Sequence, residues 1–397
     1  MQSFRKNLAW GFSGQVIAKA CIFAYHFTLP HLLGREGYGV FALQFALGAM
    51  LLQPLLELGF AQLVPKWVGR GHAEVFGMAL RYQLLSGGAW ILIFCGIGWL
   101  TEAPLLLSAL LSVHFLANSM QQTGFGVLRG LEDLRLESVL LPIQNLLALA
   151  WVLWALQQGW MGPWVGAAGL AGSRLLGLGF LLGRLRRLEP SAENSTPLSW
   201  NRLLREAVAL GVVLLMIQLY FRIDTAMLGW LRGESEVALY SAAYTILEGT
   251  FFIPALVVAS LIGSLSREED FSRSFSKGFR VLSLSGVGIG LTVGALAPWA
   301  FREFYPDSFV ESGALLRLLS PTIALVFWGY LTTQALVALD QQRAYLGITA
   351  LAVILNVSLN LLWIPEHGSH GAAWSTILTE LCIPVCCWVQ IQRVRSQ

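Results

Sequence analysis

The chain has 397 residues, 56% of them hydrophobic and 12% charged, with a mean hydropathy of +0.63 and a formal net charge of +3. Soluble domains carry about 25% charged residues, so this chain lacks the polar surface to cover itself in water. Those figures exclude a cytosolic enzyme, a secreted disulfide scaffold and a disordered chain, and they point to a polytopic membrane protein.

A helix of about 20 mostly apolar residues crosses ~30 Å of hydrocarbon. Twelve such runs are expected in chain order, at 8–32, 38–63, 77–100, 104–128, 138–158, 163–184, 206–231, 236–264, 279–302, 310–338, 342–364 and 370–391. The first follows Arg5 and Lys6, is too long for a signal peptide and lacks an Ala-x-Ala end, so it is expected to stay as a membrane helix. The runs are continuous rather than alternating, which excludes a strand barrel. Short connections such as Gln157 to Gly162 demand antiparallel hairpins. The longest polar stretch, Leu185 to Arg205, divides the chain into an N-terminal six-helix bundle (1–187), a linker (188–205) and a C-terminal six-helix bundle (206–397). The Asn194-Ser195-Thr196 sequon falls in that linker and is read as accidental.

Orientation follows from the placement of Lys and Arg. With the N-terminus in the cytoplasm, the inner loops hold 18 of these residues and the outer loops 3, Arg35, Arg232 and Arg302. Both termini are therefore expected in the cytoplasm. The halves also share a short pattern. Leu33-Gly34-Arg35-Glu36-Gly37-Tyr38-Gly39-Val40-Phe41-Ala42 follows the first run, and Leu231-Arg232-Gly233-Glu234-Ser235-Glu236-Val237-Ala238-Leu239-Tyr240 follows the seventh. Repeated halves are a common transporter plan.

Charges inside the membrane cost several kcal/mol each, so each is a candidate functional residue. Lys19 lies roughly 16 Å into the first run at 1.5 Å per residue. Arg174 is mid-way along the sixth, Arg222 and Asp224 lie in the outer half of the seventh, Glu248 is mid-eighth, Arg317 two turns into the tenth, and Glu380 mid-twelfth. Arg222 and Asp224, two apart on a helix, point about 200° apart, so one is expected to face a cavity and the other a neighbouring helix. Glu57, near the inner end of the second run, suits capping or pairing as well as transport, while Arg81 and Asp340 read as interface anchors. The deep cations Lys19, Arg174, Arg222 and Arg317 outnumber the anions Asp224, Glu248 and Glu380, which suits an anionic head group such as a diphosphate.

No nucleotide loop, metalloprotease motif or nucleophile elbow is present. No catalytic residue, metal or cofactor is expected, and energy must come from a gradient. The five cysteines lie in apolar runs and read as inert buried thiols; the six histidines make no ligand spacing.

Several segments together resemble a known family. Leu32-Leu33-Gly34-Arg35-Glu36-Gly37-Tyr38-Gly39-Val40-Phe41-Ala42 with Leu56-Glu57-Leu58-Gly59-Phe60 resembles the start of the Wzx-type oligosaccharide flippases of the multidrug/oligosaccharidyl-lipid/polysaccharide (MOP) superfamily. Arg222-Ile223-Asp224-Thr225-Ala226-Met227-Leu228-Gly229, then Glu236 to Tyr244 and Glu248, resembles the family's seventh and eighth helices. Leu355-Asn356-Val357 through Asn360, Pro365, Gly371 to Thr376 and Glu380 resembles its late hairpin. Ala238 stands where the family usually has Gly, and Glu57 where Asp is common.

The resemblance implies an all-α fold like that of the multidrug and toxin extrusion (MATE) transporters, with about 12 transmembrane helices in two six-helix bundles around a central cavity. It implies transfer of an undecaprenyl-diphosphate-linked oligosaccharide across the bacterial inner membrane for surface polysaccharides such as O-antigen and lipopolysaccharide. Lys19, Arg174, Arg222 and Arg317 would hold the substrate. Asp224, Glu248 and Glu380 would take up a coupling H+ or Na+. Membrane lipids are the remaining partner, and no nucleic acid is expected. Two alternatives stand beside this reading: ion-coupled efflux of small cations on the same fold, and a membrane polysaccharide polymerase or ligase, which the short outer loops disfavour.

Overall fold

The computed structural model describes residues 2–187, 198–265 and 267–396. Among these residues every regular element is helical. Nine helical stretches among the described residues are long and apolar enough to cross a membrane. Two of them, Ser13–Val68 and Gln342–Arg395, are each a pair of passes joined at Gly34 and Gly368. Leu105–Gly130, with 26 residues, completes a set of twelve passes among the described residues. The fold is an all-α, multi-pass membrane protein.

The passes are α1 (2–33), α2 (35–68), α3 (Glu74–Leu100), α4 (Leu105–Gly130), α5 (Arg135–Gln157), α6 (Trp164–Leu185), α7 (Trp200–Arg232), α8 (234–265), α9 (Glu268–Phe304), α10 (310–338), α11 (342–367) and α12 (369–395). Each expected run falls on one pass. The largest difference is α9, which begins at Glu268 rather than near residue 279. Its first turns are polar, so hydropathy misses them; they are amphipathic, and Phe271 and Phe275 on one face are buried. The expected linker 188–205 lies outside the described residues as far as residue 197, and so does the Asn194 sequon.

The chain forms two compact units, 1–223 and 224–397. Lipid tails are as apolar as leucine, so helices in a membrane associate through close packing rather than hydrophobic exclusion. In the first unit a Cβ on Gly14 would come within 2.3 Å of the Ser138 carbonyl, so glycine lets α1 and α5 touch backbone to backbone. In the second unit Gly286, Gly290 and Gly294 form a stripe four residues apart along α9. Added Cβ atoms there would lie 3.0 Å from Ala324 Cα, 2.9 Å from the Ser320 carbonyl and 2.4 Å from Ser320 Oγ, all on α10. The outward faces carry exposed Leu84, Leu85, Leu92 and Trp99 on α3 and Leu284 and Leu291 on α9, the surface a bilayer would cover.

Two breaks shape α2. Residues Gly48–Leu52 are π-helical, and a Cβ on Gly48 would strike the Phe115 ring. Further on, Leu58 (φ 44°) and Gly59 (φ 75°) interrupt the helix directly after Glu57. Such π-bulges are frequent at functional sites.

The pattern shared by the two halves has a backbone counterpart. Gly34, between α1 and α2, has φ 66° and ψ −177°; Gly233, between α7 and α8, has φ 86° and ψ 177°. This region is almost confined to glycine. No atom lies within 4 Å of a Cβ at either position, so backbone conformation alone requires glycine there. Gly34→Ala and Gly233→Ala are therefore expected to destabilise the protein by about 1–3 kcal/mol each, read as a lower Tm in detergent. Gly88→Ala on α3, a helical glycine with equally open space and no positive φ, serves as the neutral control.

Candidate functional site

The first unit contains a cavity of ≈ 420 Å³ walled by α1, α2, α4, α6 and α7. Its polar lining follows helical periodicity. His114, Asn118 and Gln122 lie four residues apart on α4, with Arg129 two turns further; Gln53 and Glu57 lie one turn apart on α2. His26 enters from α1, Arg174 from α6, and Gln218 and Arg222 from α7. Phe45 sits between the two histidines, its ring centroid 5.8 Å from that of His26 and 6.1 Å from that of His114.

Arg174 is the best-defined cation of this cavity. It sits ten residues along α6 from Trp164, roughly 15 Å into the pass. One Nη donates to Gln144 Oε1 at 2.9 Å and the other to Asn145 Oδ1 at 3.1 Å. Those acceptors are themselves fixed. Gln121 Nε2 also donates to Gln144 Oε1 at 2.8 Å, Gln144 Nε2 donates to the Ser173 carbonyl at 3.2 Å, and Asn145 Nδ2 donates to the Ala18 carbonyl at 2.8 Å. The guanidinium is thus held by neutral amides, which orient it without cancelling its charge. Its Nε is buried and has no hydrogen-bond partner among the described residues.

Elsewhere in the cavity charged side chains have partners. Arg129 forms an ion pair with buried Glu137 on α5, with Nε 2.9 Å from Oε2. Glu57 Oε2 accepts from Gln53 Nε2 at 3.2 Å, the i, i+4 spacing of one helix. The charged residues of the cavity wall are Arg129, paired with Glu137, together with Arg174, Arg222 and Glu57.

Of the four expected substrate-binding cations, the structure brings Arg174 and Arg222 to this one cavity. Lys19 is exposed and does not line it. It occupies the same face of α1 as the lining residues Ile22 and His26, three and seven residues before them, and so continues that stripe by one turn. Arg317 is exposed on α10, in the second unit.

The expected ion-coupling residues all belong to the second unit. Asp224 is buried; the Tyr240 hydroxyl donates to its Oδ2, and Thr376 Oγ1 lies 3.0 Å from that hydroxyl. Asp224 Oδ1 accepts the Thr225 amide at 2.7 Å. Glu380 is buried one turn beyond Thr376 on α12. Glu248 is half-buried where the first segment of α8 ends. Arg222 lining the cavity and Asp224 packing on Tyr240 is the divergence that their spacing on α7 requires.

Sequence reasoning missed His26, His114, Gln53, Asn118, Gln122 and Gln218. Each is a single polar residue in an apolar run, and the i, i+4, i+8 series on α4 was the available signal. Nothing local joins α1 to α4: His26 and His114 are 88 positions apart.

Residues 4–266, about two thirds of the chain, match the family model described as polysaccharide biosynthesis protein, and residues 209–365 match the MatE model. A curated relative, the probable flippase AglR of Haloferax volcanii, is 29% identical over 169 residues. That match spans 40% of this chain and 35% of the relative's length. Among solved structures, the inward-facing conformation of a multidrug resistance MATE family transporter of the MOP superfamily superposes with a TM-score of 0.81 at 14% identity, covering 98% of this chain and 99% of that one. Lipid II flippase MurJ in an inward closed conformation gives 0.73 at 9% identity, covering 97% and 87%. The fold is that of the MOP-superfamily membrane transporters. The chain belongs to the polysaccharide biosynthesis protein family.

The brace around Arg174 depends on Gly177, because a Cβ there would lie 1.5 Å from Gln144 Nε2. Gly177→Ala is expected to displace Gln144, lower stability by about 1–3 kcal/mol and impair transport. Gly179→Ala, with nothing within 4 Å, is expected to do neither. Thermal unfolding and an export assay check both.

Proposed function

We propose that the protein is a flippase that moves an undecaprenyl-diphosphate-linked oligosaccharide from the cytoplasmic to the outer leaflet of a bacterial inner membrane, by alternating access and with both termini in the cytoplasm. The observation that carries this reading is the cavity of the first unit, where Arg174 keeps its charge inside a frame of neutral amides beside Arg222. A guanidinium oriented by amides is suited to accept phosphate oxygens. The head group enters as an anion, is held by Arg174 and Arg222, and is released when the protein changes conformation.

Lys19, one turn beyond the cavity wall on α1, and Arg317 on α10 are proposed as further contacts for the substrate on its path. The prenyl chain stays in lipid, because carrying each methylene into water costs about 0.8 kcal/mol. Asp224, with Tyr240 and Thr376 around it, and Glu248 and Glu380 are proposed to take up the coupling H+ or Na+. The bundles 1–187 and 206–397, joined by the linker 188–205, are the moving halves in this scheme. No step breaks or makes a covalent bond.

Small-cation efflux needs an excess of carboxylates in the cavity. Arg174, held by neutral amides, favours an anion instead.

The test is export complementation. In a strain lacking the gene, surface polysaccharide is expected to disappear while lipid-linked repeat units accumulate facing inward. Arg174→Ala, Arg222→Ala and Lys19→Ala should each lower export at least about tenfold with the protein still inserted, consistent with loss of about 1.4 kcal/mol or more of head-group binding. Full export in the two cavity variants would overturn the diphosphate reading, and outward-facing repeat units in the deletion strain would indicate polymerisation or ligation.

A further inference from the structure

In the second unit, six residues of α9 are all exposed: Arg273, Lys277, Arg280, Leu284, Val287 and Leu291. They follow one another at spacings of four and three, so they form one continuous stripe along the helix. The opposite face is occupied by α12. Arg395 Cζ lies 4.9 Å from the Phe271 ring centroid, and the Phe275 and Trp388 rings are 5.3 Å apart. That packing turns the stripe outward, with its first half cationic and its second half apolar.

Length sets where the stripe meets the bilayer. From Arg280 to the exposed Trp299 the helix rises roughly 28 Å at 1.5 Å per residue, close to the ~30 Å of a hydrocarbon core. A basic residue at one boundary and a tryptophan at the other are common interface anchors. Lys277 then lies roughly 4.5 Å beyond the boundary, in the head-group layer, and Arg273 roughly 10 Å beyond it, at the outer edge of that layer. Side chains on a helix lean toward its N-terminus, so Arg280 also reaches toward the head groups. This is the cytoplasmic end in the orientation proposed above. Arg267 pairs with Asp270 at 3.8 Å, whereas among the described residues Arg273, Lys277 and Arg280 are in no ion pair. Exposed Glu269, one turn before Arg273 on the same face, lies on the side away from the hydrocarbon.

We infer that this face of α9 is a docking site for an anionic phospholipid, whose acyl chains lie along Leu284, Val287 and Leu291 and whose phosphate is held by Lys277 and Arg280. The third cation supplies selectivity. A zwitterionic head group carries an ammonium beyond its phosphate, where Arg273 would repel it; a head group that ends in neutral hydroxyls meets no such charge. Each cation near an anionic surface strengthens attraction about fivefold, so three in one line favour a lipid of net negative charge. The site belongs to the second unit and does not depend on the cavity of the first.

The experiment compares retention of phosphatidylglycerol and phosphatidylethanolamine, with the same acyl chains, by the purified full-length protein in native mass spectrometry. The wild-type protein is expected to retain phosphatidylglycerol at least about tenfold better. Replacing the three cations together (Arg273→Gln, Lys277→Gln and Arg280→Gln) should cut that ratio roughly fivefold or more, whereas Arg273→Lys with Arg280→Lys, which keeps the charge, should retain it. A control triple variant, Arg267→Gln, Arg343→Gln and Arg393→Gln, removes the same charge from exposed cations of this unit that share no stripe, and should leave the ratio unchanged. Equal retention of the two lipids by the wild-type protein overturns the inference without any variant having to fold. An equal fall in both triple variants also overturns it, since overall positive charge rather than this stripe would then hold the lipid.

Discussion

A guanidinium near the middle of a membrane helix is costly, and that cost is ordinarily relieved by a carboxylate or by water. In this protein Arg174 is met by two side-chain amides, Gln144 and Asn145, which are themselves tied to Gln121 and to the backbone carbonyls of Ser173 and Ala18. The arrangement orients two of its N–H donors and leaves its charge whole. Four helices, α1, α4, α5 and α6, contribute to that frame, so the packing of the first unit and the electrostatics of its cavity are one problem.

Close helix packing makes the frame possible. Glycine at 177 leaves room for Gln144, and glycine at 14 brings α1 against α5, the helix that carries Asn145. In a bilayer, where apolar contact between helices gives little net drive, such small-residue contacts are what bring polar groups within bonding distance. The same device recurs in the second unit as the stripe of Gly286, Gly290 and Gly294 against α10. The two units also share the positive-φ, extended glycine after their first helix, Gly34 and Gly233, so the repeat seen weakly in residues is plain in backbone angles.

Much of this was legible beforehand. Uninterrupted apolar length marks each of the twelve passes, because a bilayer imposes a length and a composition at once. Residues two apart on a helix point about 200° apart, and Arg222 lines the cavity while Asp224 meets Tyr240. The polar start of α9 was missed because an amphipathic segment has low mean hydropathy even when Phe271 and Phe275 are buried. The cavity's neutral residues escaped for another reason. Gln53, Asn118, Gln122 and the histidines carry no charge signal, and what joins them is contact between helices distant in sequence. Charge alone does not say which cations meet: Arg174 and Arg222 line one cavity, whereas Lys19 and Arg317 do not line it.

The central claim is that the uncompensated guanidinium of Arg174 holds a lipid-linked diphosphate. The most direct measurement is native mass spectrometry of the purified protein with undecaprenyl diphosphate, comparing wild type with Arg174→Gln, which keeps a hydrogen-bonding side chain but removes the charge. The account predicts a lipid adduct on the wild-type protein that is displaced by inorganic pyrophosphate and weakened at least about tenfold in Arg174→Gln, equivalent to about 1.4 kcal/mol. Equal retention of the lipid by the two proteins, with no displacement by pyrophosphate, would contradict it.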